Sequence, residues 1–176
     1  MAEDLDKRAL RDLSYGLYLV TSRDGERLNG QVVNTVIQVT SEPTRVAVII
    51  NKQNLTHEFI TKSGVFGVTV LAEDTPMTFI GPFGFRSGRD IDKLAPVGYK
   101  PGITGCPLVT EHALSVLEAR VAESLDLGSH TIFIGDAIYG EVLKEGRPLT
   151  YRYYHEVLKG KAPPAAPTFL VGERKG

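Results

Sequence analysis

The sequence has almost none of the residues that build a covalent or metal-held redox centre. Of its 176 residues one is cysteine, Cys106, and none is tryptophan. A single cysteine excludes an internal disulfide, a CxxC redox pair and any cysteine-built zinc or iron–sulfur site. The histidines, His57, His112, His130 and His155, stand too far apart to suggest a local metal-ligand motif. GxSxG, P-loop and HExxH nucleophile or metal signatures are missing, and so is a GxGxxG after a first strand. No run of about 18 apolar residues is present, so no transmembrane helix is expected. The segment Met1-Ala2-Glu3-Asp4-Leu5-Asp6-Lys7 is charged and lacks the apolar core of a signal peptide, which leads us to expect a cytoplasmic protein. The formal net charge is −1, which gives no electrostatic case for nucleic acid or an anionic membrane as partner. Redox chemistry, if there is any, must come from a bound cofactor.

What is present has a β texture. The length suits one well-cored domain, and 18 Gly with 10 Pro imply many turns. Residues 4–14 read as a weak amphipathic helix. Gly16 to Ser22 form a short apolar run ended by the turn signal Arg23-Asp24-Gly25-Glu26. Residues 31–39 read as one strand, although Asn34 and Thr35 stand where apolar side chains are expected. Residues 45–50 read as a fully buried strand. A short helix follows with Leu55, Phe59 and Ile60 on one face, stopped at Ser63-Gly64. Residues 65–71 are another strand, and Thr75-Pro76 opens a second short helix. Residues 81–93 read as a Gly-rich charged loop, and 112–124 and 130–143 as long β segments. An aromatic cluster (Tyr151, Tyr153, Tyr154) precedes Lys161-Ala162-Pro163-Pro164-Ala165-Ala166-Pro167, which has linker composition. Several turn-separated strands with few helices favour a mainly β, closed antiparallel barrel over a doubly wound sheet. We therefore expect a barrel domain over 1–160 and an Ala/Pro-rich tail over 161–176.

Two segments could bind an anion. In 51–56 a strand end feeds a helix N-terminus, where unpaired backbone N–H groups and the helix dipole favour negative charge. Asn51, Lys52, Asn54 and Thr56 add polar donors there, though plain N-capping by Asn54 with a solvated Lys52 would account for the same residues. Arg86-Ser87-Gly88-Arg89-Asp90-Ile91-Asp92-Lys93 is the second, with guanidinium and ammonium groups on a Gly-softened backbone that suit a phosphate monoester. Internal pairing of those cations with Asp90 and Asp92 is the alternative. Asn34 and Thr35 could address the polar edge of a flat heterocycle, or could lie on a wet sheet face. His130 stands at a strand mouth after Gly128-Ser129, and Cys106 reads as packed rather than nucleophilic.

In combination these segments resemble the flavin reductase-like family of FMN-binding split barrels, from about Leu13 to Tyr154. Five blocks in order carry the resemblance: residues 15–22, 29–35, 51–56, 83–93 and 128–136. Within that family the chain is similar to the flavin domain of high-molecular-weight rubredoxins and their NAD(P)H:FMN oxidoreductase relatives, through Tyr153-Tyr154-His155 and the Ala/Pro stretch after it. The resemblance implies a split β-barrel of Greek-key type that binds FMN. Val33, Asn34 and Thr35 would face the ring or ribityl chain, and residues 50–56, with Ile50, Asn51, Lys52, Asn54 and Thr56, would wrap the ribityl phosphate. Arg86, Ser87, Gly88 and Lys93 would complete the phosphate grip, and His130 would line the nicotinamide site. The implied activity takes hydride from NAD(P)H onto FMN and passes electrons to rubredoxin, a ferric chelate or free flavin. The alternative is an FMN electron-transfer protein with no NAD(P)H site of its own. A homodimer is expected from the family. Whether an electron partner is fused, separate or absent stays open.

Overall fold

The computed structural model describes residues 5–169. The first strands form a hairpin, β1 (Tyr18–Asp24) and β2 (Arg27–Val33), with Tyr18 opposite Val33 and Asp24 opposite Arg27. Gly25 closes it at φ 59°, a left-handed conformation that costs glycine little. A second hairpin joins β3 (Val36–Ser41) to β4 (Thr44–Asn51). Strand β5 (Val65–Leu71) follows α1 (Leu55–Ser63), and a small separate ladder pairs β6 (Tyr99–Pro101) with β7 (Pro107–Val109). The long hairpin β8 (Ala113–Asp126) and β9 (His130–Val142) completes the sheet.

The seven main strands lie in the order β2-β1-β5-β8-β9-β4-β3, with every neighbouring pair antiparallel. This order forces closure. Strands β2 and β3 occupy opposite ends of the sheet, yet only Asn34 and Thr35 separate them in the chain. Three Cα steps reach at most about 11 Å, so the sheet must curl until its ends nearly meet. No β2–β3 ladder occurs among the described residues, and the barrel stays split at that seam. The split antiparallel barrel expected from the sequence is therefore the architecture found.

Two large apolar clusters, with a small third of Leu108, Ala113 and Val116, hold it together. Val20, Val33, Val46, Val48, Ile50, Phe66, Val68, Ala119 and Phe133 come from six different strands and fill the barrel, with Ile60 of α1 closing one end. On the opposite face of β1, Leu19 and, just before the strand, Leu17 pack with Leu71, Phe79, Ile80, Phe83, Leu94 and Tyr154. That second cluster seats α2 (Met77–Phe85) and α3 (Tyr151–Glu156) against the barrel wall. Each fully buried Leu, Ile or Phe contributes about 1.5–3 kcal/mol relative to exposure.

Three segments differ from the sequence reading. The single strand expected over 31–39 is two strands, because the chain breaks at Asn34-Thr35 to cross from one sheet end to the other. The loop expected over 81–93 begins as helix, since α2 runs through Gly81, Pro82 and Gly84 to Phe85. Burial of Phe79, Ile80 and Phe83 on one face of that helix outweighs the poor propensity of its Gly and Pro. At the N-terminus, the expected amphipathic helix is a 3-10 turn over Lys7–Asp12 with no buried residue.

Candidate functional site

A cavity of about 310 Å³ opens beside the barrel seam, within the usual size range of small-molecule sites. Four parts of the chain converge on it. Strand β2 supplies Asn29, Gln31 and Val33, the link after it Asn34 and the end of β4 Asn51, and the start of α1 supplies Asn54, Leu55 and Thr56. The segment after α2 brings Arg86, Ser87, Gly88, Arg89 and Lys93, and the aromatic side is formed by Phe83, Tyr151 and Tyr154 with Leu17.

The helix start is open to a ligand. Asn54 stands at the N-cap of α1, but its side chain makes no capping hydrogen bond, so the plain capping alternative is not what the structure adopts. Asn51 instead folds back on the chain, its Oδ1 accepting from Gln53 N at 2.9 Å. Across the cavity mouth, Arg89 donates to Gln53 O at 3.2 Å and pairs with Glu58 at 3.3 Å. The 86–89 segment is thereby fastened to the same helix start. Pairing of Arg89 with Asp90 or Asp92, the alternative weighed from sequence, does not occur among the ion pairs of the described residues.

One residue that sequence reading missed locks this corner. Asn29 is buried and donates from Nδ2 to Thr56 Oγ1 at 2.8 Å. Its Oδ1 lies so close to Gly88 that a Cβ there would meet it at 2.0 Å. Gly88 is thus required by close approach, not by backbone conformation. A second missed residue is Gln31, whose buried Oε1 has no hydrogen-bond partner although it lines the cavity. An unpartnered buried acceptor costs about 1–3 kcal/mol unless a ligand supplies a donor.

Lys93 is the buried cation of the site, 5% exposed, with Nζ donating to Gly30 O at 3.0 Å. Removal from water disfavours its charged form and pushes its pKa down to about 8.

The segment 161–167, read from sequence as linker, lies over the cavity. Lys161, Ala162, Pro163, Ala165, Ala166 and Pro167 line it. Ala165 O accepts from Asn51 Nδ2 at 3.3 Å and lies 3.2 Å from His130 Nε2. Thr168 Oγ1 accepts from Asn34 Nδ2 at 2.7 Å and donates to the Tyr151 hydroxyl at 3.1 Å. Tyr154 donates to Lys161 O at 3.0 Å.

The family profile described as "Flavin reductase like domain" matches residues 10–158. This chain is a member of that family. It is 50% identical over 171 residues to the high molecular weight rubredoxin of Moorella thermoacetica, covering 97% of this chain and 75% of that protein. It is also 50% identical over 166 residues to the ferric-chelate reductase (NAD(P)H) of Archaeoglobus fulgidus, covering 94% and 98%. Among solved structures it resembles the flavin reductase HpaC complexed with NADP+, with a TM-score of 0.71 over 82% of this chain and 90% of that one. At 24% identity that likeness speaks for the fold.

In this flavin reductase-like protein the cavity gathers nine of the thirteen residues named from sequence: Val33, Asn34, Asn51, Asn54, Thr56, Arg86, Ser87, Gly88 and Lys93. Thr35, Ile50, Lys52 and His130 do not line it. Ile50 is wholly buried in the barrel core, and Thr35 donates to Ile49 O at 3.1 Å, where it continues the β3–β4 pairing. Lys52 pairs with Asp126 near the β8–β9 turn, on the far side of the α1 start. His130 touches the covering segment rather than the cavity, with Ser129 Oγ 2.8 Å from its Nδ1.

An FMN molecule fits the residues present. Its phosphate would meet the uncapped start of α1 and Ser87 to Arg89. Its flat ring would lie against Leu17, Phe83 and the tyrosines, with Gln31 Oε1 free to accept from a ring N–H.

Proposed function

We propose that the protein is an NAD(P)H-dependent FMN oxidoreductase. The observation that carries the reading is the corner where an uncapped helix start faces Ser87, Gly88 and Arg89 across a cavity with an aromatic side. That corner offers backbone and guanidinium donors to a phosphate, and the aromatic side offers a surface to a heterocycle. FMN, when bound, supplies the two-electron chemistry, and the protein supplies orientation, polarity and access. Asn29 and Gly88 hold the phosphate corner in register, and Asn34 and Gln31 present hydrogen-bonding groups to the ring's polar edges. Tyr151, Tyr154 and residues 161–167 keep water from the other side. We therefore count 161–167 with the functional unit, beyond the 1–160 domain expected from sequence.

Electrons leave to an acceptor of the kind named in the relatives, a rubredoxin or a ferric chelate. The barrel seam also suits a second copy of the chain. Edge strand β3 exposes Ile37 at 64% and Val39 at 44%, and the β8–β9 tip exposes Leu125 and Leu127, apolar surface that a homodimer would bury. No helix among the described residues is long and apolar enough to cross a membrane. Cys106 is buried, and burial pushes its thiol up to about 12, the inert state of a packed cysteine.

The direct test is anaerobic mixing of the FMN-loaded protein with NADH or NADPH. Bleaching of the flavin's visible band is the expected outcome. A flavin that dithionite bleaches and neither nucleotide does would make the protein an electron relay without a nicotinamide site. The resemblance puts His130 at the nicotinamide site, beside the cavity it does not line, and on that reading His130→Ala keeps full FMN occupancy and dithionite reduction while slowing NAD(P)H reduction by up to about 100-fold. A destabilised His130→Ala protein with a normal rate per bound flavin would show that the imidazole only supports the Ala165 segment.

A further inference from the structure

Among the described residues two charged side chains are buried, Glu118 and Lys93. Glu118 has its partners inside the protein, accepting from Ile103 N at 2.7 Å, Thr104 N at 2.9 Å and the Thr104 hydroxyl. Lys93 does not. An ammonium carries three donors, and the bond to Gly30 O uses one. No carboxylate pairs with it among the described ion pairs. Burying a cation without a counter-charge is costly, and a neutral donor would serve the Gly30 carbonyl as well. The charge is therefore best explained by something negative that enters the cavity.

The resemblance would give that role to the phosphate, together with Arg86 and Ser87. The surroundings favour the ring. Arg86 and Arg89 are exposed at the mouth, beside the α1 start, where a dianion keeps part of its hydration. Lys93 is buried and runs directly into Leu94, which packs with Leu17, Phe83 and Tyr154, all three on the aromatic side of the cavity. A Cβ at Gly30, which receives the Lys93 bond, would lie 2.9 Å from Thr21 Cγ2, 3.4 Å from Val20 O and 3.5 Å from Phe83 Cε1, so the aromatic side borders the strand that holds Lys93. We infer that Lys93 meets the negative charge the flavin ring takes up on reduction, and so sets the cofactor's reduction potential.

The charge balance is simple. Hydride transfer breaks a C–H bond of the dihydronicotinamide, which leaves as NAD(P)+. A neutral flavin held here would take up two electrons and one proton with that hydride, and so one negative charge for Lys93 to meet. A fixed cation out of water stabilises that charge more than a solvated one would. At pH 7 Lys93 is still protonated, because its pKa of about 8 lies above that value.

This inference rests on the FMN reading, and the test separates the two. Apo protein is titrated with FMN and with riboflavin, and the FMN-loaded forms are equilibrated with a reference dye at pH 7. Lys93→Met should make two-electron reduction at least tenfold less favourable, about 30 mV more negative. Lys93→Arg, which keeps the charge, should recover most of that shift. Affinities for FMN and riboflavin should fall together in Lys93→Met, since the phosphate is not its partner. An unchanged potential with a loss confined to FMN would return Lys93 to the phosphate and overturn the inference. An unchanged potential with unchanged affinities would make Lys93 purely structural and overturn it equally. If Lys93→Met fails to fold, Lys93→Gln carries the same measurement. A wild type that binds neither flavin would defeat the cofactor reading itself.

Discussion

Gly88→Ala should lower FMN affinity by about 100-fold, or about 2.7 kcal/mol. A Cβ at this position would lie 2.0 Å from Asn29 Oδ1, 2.8 Å from Asn29 Cγ and 3.1 Å from Leu55 Cδ2. A flexible surface side chain could swing away from such a clash. Asn29 cannot do so without loss, because it is buried and bonded to Thr56 in the first turn of α1. Either the Asn29–Thr56 bond breaks or the 86–89 segment backs away from the helix start. Both outcomes pull apart the two halves of the phosphate corner. Riboflavin has no phosphate and should lose much less, so calorimetric titration of both ligands reads the effect. Gly81→Ala is the control, since nothing lies within 4 Å of its Cβ position in α2. It should gain up to about 1 kcal/mol of stability from helix propensity and bind FMN as the wild type does. Equal losses for riboflavin and FMN in Gly88→Ala would mean that the methyl disturbs the whole cavity.

The residues that were legible in the sequence are those whose chemistry is local. The polar run 51–56 before an apolar helix face, and the cation-rich run 86–93, each announce an anion site within eight positions. The cavity brings most of both together. What stayed hidden depends on partners distant in the chain. Asn29 looks like an ordinary polar residue of a hairpin strand, and its role appears only when Thr56 and Gly88 close on it. The Ala/Pro segment has linker composition, and nothing in it forecasts that Asn34 would reach Thr168, 134 positions away. Lys52 and Thr35 were legible as polar but not in direction. A residue on a strand end turns toward one side or the other by a single step of register. Asn51 lines the cavity while Lys52 pairs with Asp126 away from it. The break at Asn34-Thr35 left a visible mark, polar residues within a β-branched run. That mark reads equally well as a ligand-facing strand or as a strand end, and the barrel uses it as the link across its own seam.

The second large effect expected is on stability, and it runs against the usual loss in alkali. In the apo protein Lys93 has a folded pKa of about 8, lowered from 10.5 by burial. Below pH 8 the side chain is charged in both folded and unfolded chains, and folding carries the full cost of burying the ammonium. Between about pH 8 and 10.5 the unfolded chain binds more protons than the folded one, so stability rises with pH across that window. Above 10.5 both states are neutral at this residue and the cost is gone. At about 1.4 kcal/mol per unit of pKa, the full gain is about 3 kcal/mol. Other groups move the opposite way there, since burial raises the pKa values of Tyr18 and Tyr154 and deprotonation then opposes folding. The comparison that isolates Lys93 is therefore the difference between wild type and Lys93→Met. Urea denaturation of both apo proteins at pH 7, 8, 9 and 10 should show the wild type gaining on the mutant through the interval. The gain should be small below pH 8 and steepest near pH 9, midway between the two pKa values. Parallel stability curves would mean that the ammonium is solvated in the apo state, with water reaching it through the cavity.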